Sequence, residues 1–288
     1  MSIRPIRFTR RSATIAVAAA VGLVSLALGA HAALNLRAPD ADKAAVFAVA
    51  PGAQRLALVI GNGHYPDASA PLDQPVNDAR ALAGTLRAQG FDVDMLEDAN
   101  RADMRGAIDR LAAKVTPQSV VMLFFGGYGV QSGRESYMIP VDAAIWKEAD
   151  VRRAGISIEA TLAEFTQRGA RAKLAVIDAS RRNPYERRFR QYSHGLAPIN
   201  APANALILSS ATPGRVADDG ARPNSVLVSE LLDNLKAEDA TAEGAFNRTR
   251  LAVSRSTDGA QVPSVSSSLS DDIRIKADAP RKTAQAGH

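Results

Sequence analysis

The 288-residue chain contains no cysteine. That absence excludes disulfides, thiolate metal sites and a cysteine nucleophile together. Only four histidines are present, and His31 and His288 sit in the terminal segments, so His64 and His194 are the only ones within the body of the chain. Aromatic residues are also scarce, at 5%. Acids are missing altogether from residues 1–32, while Arg4, Arg7, Arg10 and Arg11 lie there. Those four arginines account for most of the formal +5 charge, which falls to about +1 without them. The tail from Lys276 adds a further +2, so residues 33–275 carry about −1. A near-neutral body lacks the basic face that phosphate backbones require, and no nucleic-acid partner is expected.

What is present first is an export layout. A basic stretch leads into a mostly apolar run over residues 13–30, followed by Ala30-His31-Ala32. Basic, apolar and small-x-small regions in that order read as a signal peptide spanning 1–32. Arg10-Arg11 also hints at a twin-arginine route. As an uncleaved segment the same eighteen residues are just long enough to anchor in a bilayer. Either way the remainder is expected outside the cytoplasm, periplasmic, secreted or tethered, touching membrane only through this segment. Residues 33–53, rich in Ala, Pro and Asp, read as a linker.

From residue 54 strand and helix signals alternate. Short apolar runs at 56–60, 91–96, 120–125, 173–177 and 205–210 read as strands, with a strand-like piece at 137–141 and a last one at 269–275. Helical spacing marks 75–89, 102–115, 158–167, 225–235 and 242–256. Residues 181–198 read as a long polar loop, and 276–288 as a disordered tail. Such alternation predicts an α/β fold, a mostly parallel central sheet with helices on both faces. Sites in these sheets lie beyond the carboxyl ends of the strands. Three features fall there: Gly61-Asn62, Gly126-Gly127-Tyr128-Gly129 and Asp178-Ala179-Ser180-Arg181. The glycine run has neither the Lys-Ser/Thr of a P-loop nor GxGxxG spacing, so it is not a phosphate loop.

These motifs resemble the caspase and metacaspase-like peptidases. Ala57-Leu58-Val59-Ile60-Gly61-Asn62, Tyr65 and Pro75-Val76-Asn77-Asp78-Ala79 look like the start of a bacterial metacaspase-like domain. Phe124-Phe125-Gly126-Gly127-Tyr128-Gly129 matches the segment that carries the family histidine, and Tyr137-Met138-Ile139-Pro140-Val141-Asp142 the next signature. Asp178-Ala179-Ser180-Arg181-Arg182-Asn183-Pro184-Tyr185 matches the segment of the family cysteine. Tyr128 and Ser180 lie 52 residues apart, near the roughly 50 of the caspase dyad. Gly195-Leu196-Ala197, Ala211-Thr212-Pro213-Gly214, Asp219-Gly220, Asn224-Ser225 and the stretch from Gln261 to Leu269 resemble the small-subunit part. The resemblance implies a caspase-like domain over 54–275, with a large-subunit-like part at 54–190 and a small-subunit-like part at 195–275.

It also implies a broken catalytic centre, with Tyr128 in place of histidine and Ser180 in place of cysteine. A serine hydroxyl ionises far less readily than a thiol, and tyrosine at neutral pH offers a donor, not a base. The expectation is a pseudo-peptidase. What the resemblance retains is an acidic pocket, Asp78 and Asp178, suited to Arg or Lys of a basic peptide or protein partner. The bland alternative is that Asp178 caps loop backbone and Asp78 a helix turn. Gly129 and Ser180 would supply the leftover oxyanion-type backbone N–H groups.

Two further readings stay open: an active peptidase using Ser180 with a substitute base, of which His64 is the better candidate and His194 the poorer, and a purely structural envelope protein. Arg187-Arg188-Phe189-Arg190 reads as a solvated basic loop, with an acidic partner or membrane surface as the sharper option. Family members often use calcium, but no calcium-loop spacing occurs here, so neither metal nor cofactor is expected. A monomer is expected.

Overall fold

A computed structural model describes residues 54–66, 71–189, 195–217, 222–238 and 240–276. The expected export segment and linker, and the expected tail apart from Lys276, therefore lie outside the described residues. Among those described, no helix is long and apolar enough to cross a membrane.

The centre is a six-stranded sheet in the order β2-β1-β3-β7-β8-β9. Its strands are β1 (Arg55–Gly61), β2 (Asp92–Glu97), β3 (Val120–Gly126), β7 (Ala172–Asp178), β8 (Ala205–Ser209) and β9 (Ser264–Ser267). All neighbours are parallel except β8 and β9. β1, β3, β7 and β8 are buried along their whole length. That explains their unbroken apolar sequences, since a strand covered on both faces has no polar side to alternate with.

Helices close both faces. Helix α1 (Gln74–Ala88), α5 (Val226–Leu235) and α6 (Ala242–Ser256) pack Leu82, Leu231 and Phe246 on the face that shows Val59, Phe124 and Val176. Helix α2 (Arg101–Lys114) and α4 (Ile158–Gln167) pack Ile108 and Phe165 on the face that shows Leu58, Phe125 and Ile177. Successive strand residues point to opposite faces, so each apolar strand feeds both layers. Polar side chains stop the helices unravelling at their starts: Asn100, Ser157, Ser225 and Thr241 each accept a backbone N–H three residues on, an arrangement worth about 1 kcal/mol apiece. The expected α/β architecture with a mostly parallel sheet is the one observed.

Between β3 and β7 the chain builds an accessory sheet of β4 (Gly129–Ser132), β5 (Glu135–Met138) and β6 (Ile156–Ser157), with helix α3 (Glu148–Ala154) inserted before β6. The strand expected at 137–141 thus starts earlier and ends at Met138, as one arm of a hairpin. The expected last strand at 269–275 is corrected. The final strand is β9, and the later segment makes only an isolated bridge, Thr241 with Arg274. Ile273 and Ile275 alternate because they plug the core as anchors, while the Arg55 side chain donates to the Ile275 and Lys276 carbonyls.

Candidate functional site

The parallel register brings the three sequence features together. Gly61 pairs with Gly126, and Gly126 with Asp178, so β1, β3 and β7 end flush on one edge. Asn62, fully buried, ties that edge down. Its amide donates to the Ala99 and Ile139 carbonyls at 3.2 and 3.3 Å and its oxygen accepts the Ala99 N–H at 2.9 Å. Gly61-Asn62 is therefore scaffold for the edge, with backbone groups and the Met104 sulfur as partners of the Asn62 side chain.

Tyr65 continues the same work. Its hydroxyl donates to the Ile139 carbonyl and accepts the Tyr128 N–H, both at 3.0 Å. The Tyr65 and Tyr128 rings meet edge to face at 4.8 Å. Burial pushes the Tyr65 phenol far above its ordinary pKa, so it stays a neutral donor. Gly127 makes this approach possible: at φ +154° a Cβ there would come within 2.5 Å of the Tyr65 hydroxyl.

Tyr128 and Ser180 sit at the ends of neighbouring strands, as the spacing required. Ser180 is only 1% exposed, and its carbonyl accepts the Ala217 N–H at 2.7 Å. The segment carrying Ala217 thus lies against the Ser180 backbone. The two candidate oxyanion donors are engaged within the chain. Gly129 N–H is donated to the Ala179 carbonyl at 3.0 Å, and Ser180 N–H to Ser210 Oγ at 3.3 Å. Oxyanion stabilisation needs donors aimed at the developing charge without reorganisation, and in this arrangement neither is free.

The two acids are both buried, Asp78 at 0% and Asp178 at 2% exposure. Asp78 Oδ1 accepts from Asn224 Nδ2 at 2.8 Å and from the Ser225 N–H at 3.0 Å, at the start of α5. Even so, burial, and then the charge of Asp178, push its pKa up to about 7. Asp178 differs. Its Oδ2 is buried without any hydrogen-bond partner, and its Oδ1 lies 3.9 Å from Arg181 Nη1. That guanidinium donates to the Gly127 and Asp178 carbonyls. A helix-capping role thus holds for Asp78, whereas Asp178 caps nothing with its Oδ2.

The caspase domain family matches residues 54–274, which spans the whole described fold. The chain belongs to the caspase domain family. Among curated proteins, human (Homo sapiens) mucosa-associated lymphoid tissue lymphoma translocation protein 1 is 33% identical over 89 residues, 31% of this chain and 11% of that protein. Its Mus musculus homolog is 32% identical over 89 residues, again 31% of this chain and 11% of the relative. The chain thus matches about a tenth of the length of these relatives.

Within this caspase domain the candidate bases part from Ser180. His64 is 69% exposed and its Nδ1 lies 2.7 Å from Asp98 Oδ2. Asp98, beside the end of β2, also accepts the Gly63 and His64 N–H groups, which together hold its carboxyl below the ordinary range against the opposing effect of burial. His64 is thereby turned toward β2, whereas Ser180 follows β7, two strands and about 10 Å across from β1. Among the described residues no histidine contacts Ser180, and His194 lies outside them. No three His, Cys, Asp or Glu side chains among the described residues gather to hold a metal.

The expected solvated basic loop is partly tied down. Arg188 donates to the Ile145 carbonyl at 2.7 Å and lies over the Trp146 and Tyr185 rings at 4.6 and 5.5 Å. Arg190 and Asp219-Gly220 lie outside the described residues. Sequence reasoning missed Ser210, which occupies the Ser180 N–H, and the engagement of Asp78 by Asn224 and Ser225. The second had a signal: Asn-Ser immediately before an apolar helical run is a helix-start signature.

Proposed function

We propose that this caspase-domain protein is an exported pseudo-peptidase that binds an Arg- or Lys-containing peptide or protein segment without cleaving it. The observation that carries the reading is the buried, unpartnered Oδ2 of Asp178 beside the buried carboxyl of Asp78. A buried carboxylate oxygen without a donor costs a few kcal/mol, and two carboxyls sharing a site repel. A guanidinium or ammonium relieves both penalties through charge-assisted hydrogen bonds. Arg181 leaves the need unmet, because its contact with the Asp178 carboxylate is long.

The absence of turnover follows from chemistry at the other end of the site. Tyr128 offers no base, Ser180 is not contacted by one among the described residues, and both backbone donors are engaged. Losing either member of such a unit costs several powers of ten in rate. Ala217 is bonded to the Ser180 backbone, and the reading expects that segment to shift when a side chain reaches Asp178, which slows association. The N-terminal layout supports a location outside the cytoplasm, and the reading takes the protein as a monomer.

The test is calorimetric titration with peptides that differ only in a central Arg, Lys or Gln. Arg and Lys peptides bind, the Gln peptide does not, and Asp178→Ala weakens binding at least about tenfold, the loss of one charge-assisted contact. Equal affinity in wild type and variant would remove the pocket from the account. Cleavage of the Arg peptide that disappears in Ser180→Ala would replace it with a serine hydrolase.

A further inference from the structure

A second charged cavity lies away from the Asp78–Asp178 edge. It opens between the start of α2, the end of α3 and the start of α4, with room for about 270 Å³, enough for a small anion rather than a drug-sized ligand. Arg101, Arg105 and Arg152 line it together with Tyr137, Ser157 and Thr161, and no acid is among the lining residues. We infer that this cleft is a binding site for a small multivalent anion, a ligand carrying at least two phosphoryl or carboxylate groups.

Three arginines converging on one cleft are costly unless acids or a ligand answer them. Arg105 is answered, by Asp109 at 2.5 Å and Glu164 at 2.7 Å. Arg101 and Arg152 are exposed and have no ion pair with a described acid. The acids close to the cleft are committed elsewhere. Glu159 accepts the Ser136 N–H, Glu135 accepts from the Tyr137 hydroxyl at 2.6 Å, and Asp142 accepts the Arg101 N–H at 2.9 Å. None of these carboxylates forms an ion pair with Arg101 or Arg152. The start of α4 adds positive partial charge on the same side.

Arginine fits this ligand class better than lysine because its planar fork pairs two oxygens of one oxyanion. Two free forks on different elements, with Arg105 held fixed between its two acids, favour a ligand with two separated oxyanions. The Tyr137 ring gives such a ligand an apolar wall. Tyr137 belongs to β5, whose Met138 pairs with Gly129 on β4, next to Tyr128. The site is independent of the acidic pair, and its success or failure does not decide the peptide-binding reading.

The experiment is calorimetric titration of the full chain with inorganic pyrophosphate and, separately, with citrate, at low and raised salt. Saturable binding is expected, weakening with salt. The Arg101→Gln/Arg152→Gln double variant is expected to lose at least about tenfold, while an Arg182→Gln/Arg187→Gln control on the loop after Ser180 stays within about twofold. Tighter pyrophosphate assigns a phosphoryl ligand, and tighter citrate a polycarboxylate; either supports the site. Both doubly substituted proteins change exposed side chains, and circular dichroism checks that each keeps the fold. No binding of either probe overturns the inference, as does binding lost in the control but kept in the double variant.

Discussion

Replacing Asp178 by Asn tests whether its carboxylate exists for the fold or for a ligand. The Asp78 pKa rises from 3.8 to about 7, first by burial and second by the Asp178 charge. A shift of roughly three units corresponds to about 4 kcal/mol at 1.4 kcal/mol per unit, with burial the larger cause and the repulsion from Asp178 the second. The sign follows from linkage. A carboxyl whose folded pKa exceeds its unfolded one favours the fold below the unfolded value, and that advantage disappears as pH climbs through about 7. At pH 8 Asp78 is largely ionised, so Asp178→Asn removes the repulsion while its amide keeps a buried polar atom in the same place. Against this stands the 3.9 Å contact with Arg181, worth about 0.5–1 kcal/mol. The variant is expected to be about 1 kcal/mol more stable at pH 8, raising Tm by roughly 2–4 °C. At pH 5 Asp78 is protonated and the gain shrinks to near zero. Urea denaturation at both pH values measures the difference. A variant destabilised equally at pH 5 and pH 8 would refute the reasoning and make Asp178 a structural residue. Stability gained while Arg-peptide affinity falls is the mark of a binding group kept at the expense of the fold.

The remaining expectations concern the same edge. Affinity for the Arg peptide falls about tenfold per pH unit below about 7, because Asp78 must lose its proton to receive the cation; calorimetry from pH 5 to 8 reads it, and a flat profile contradicts it. Asn62→Ala leaves the Ala99 N–H and the Ala99 and Ile139 carbonyls without their side-chain partner and costs about 2–4 kcal/mol in chemical denaturation. Tyr65→Phe strands the Tyr128 N–H and removes the donor to Ile139, costing about 1–3 kcal/mol. Gly127→Ala forces a Cβ against the Tyr65 hydroxyl and is expected to cost more than about 2 kcal/mol, read as a fall in Tm.

Much of the fold was legible because the central strands are buried on both faces and read as uninterrupted apolar runs, while Asn100, Ser157, Ser225 and Thr241 announce helix starts. What escaped reading had weak local signals. β9 holds one apolar residue, Val265, among three serines; as a sheet edge it is half-exposed and its pairing with β8 is a long-range event. α3 spans seven residues with Val151 as its only fully buried apolar side chain, too short for a period. At the site, the residue types were readable and their engagements were not. Nothing in the spacing of Ser180 and Ser210 says that one backbone N–H meets the other hydroxyl, since β7 and β8 come together only in the folded sheet. The absence of cysteine excluded a thiolate outright, but the unpartnered oxygen of Asp178 arises only once the strands are assembled.

The most direct test of the central claim incubates the full chain with an Arg-containing peptide, measuring binding by calorimetry and peptide integrity by mass spectrometry in the same sample. Saturable binding with an intact peptide, weakened at least about tenfold by Asp178→Asn and unaltered by Ser180→Ala, is the predicted result. Cleaved peptide in the wild type and intact peptide with Ser180→Ala would contradict it.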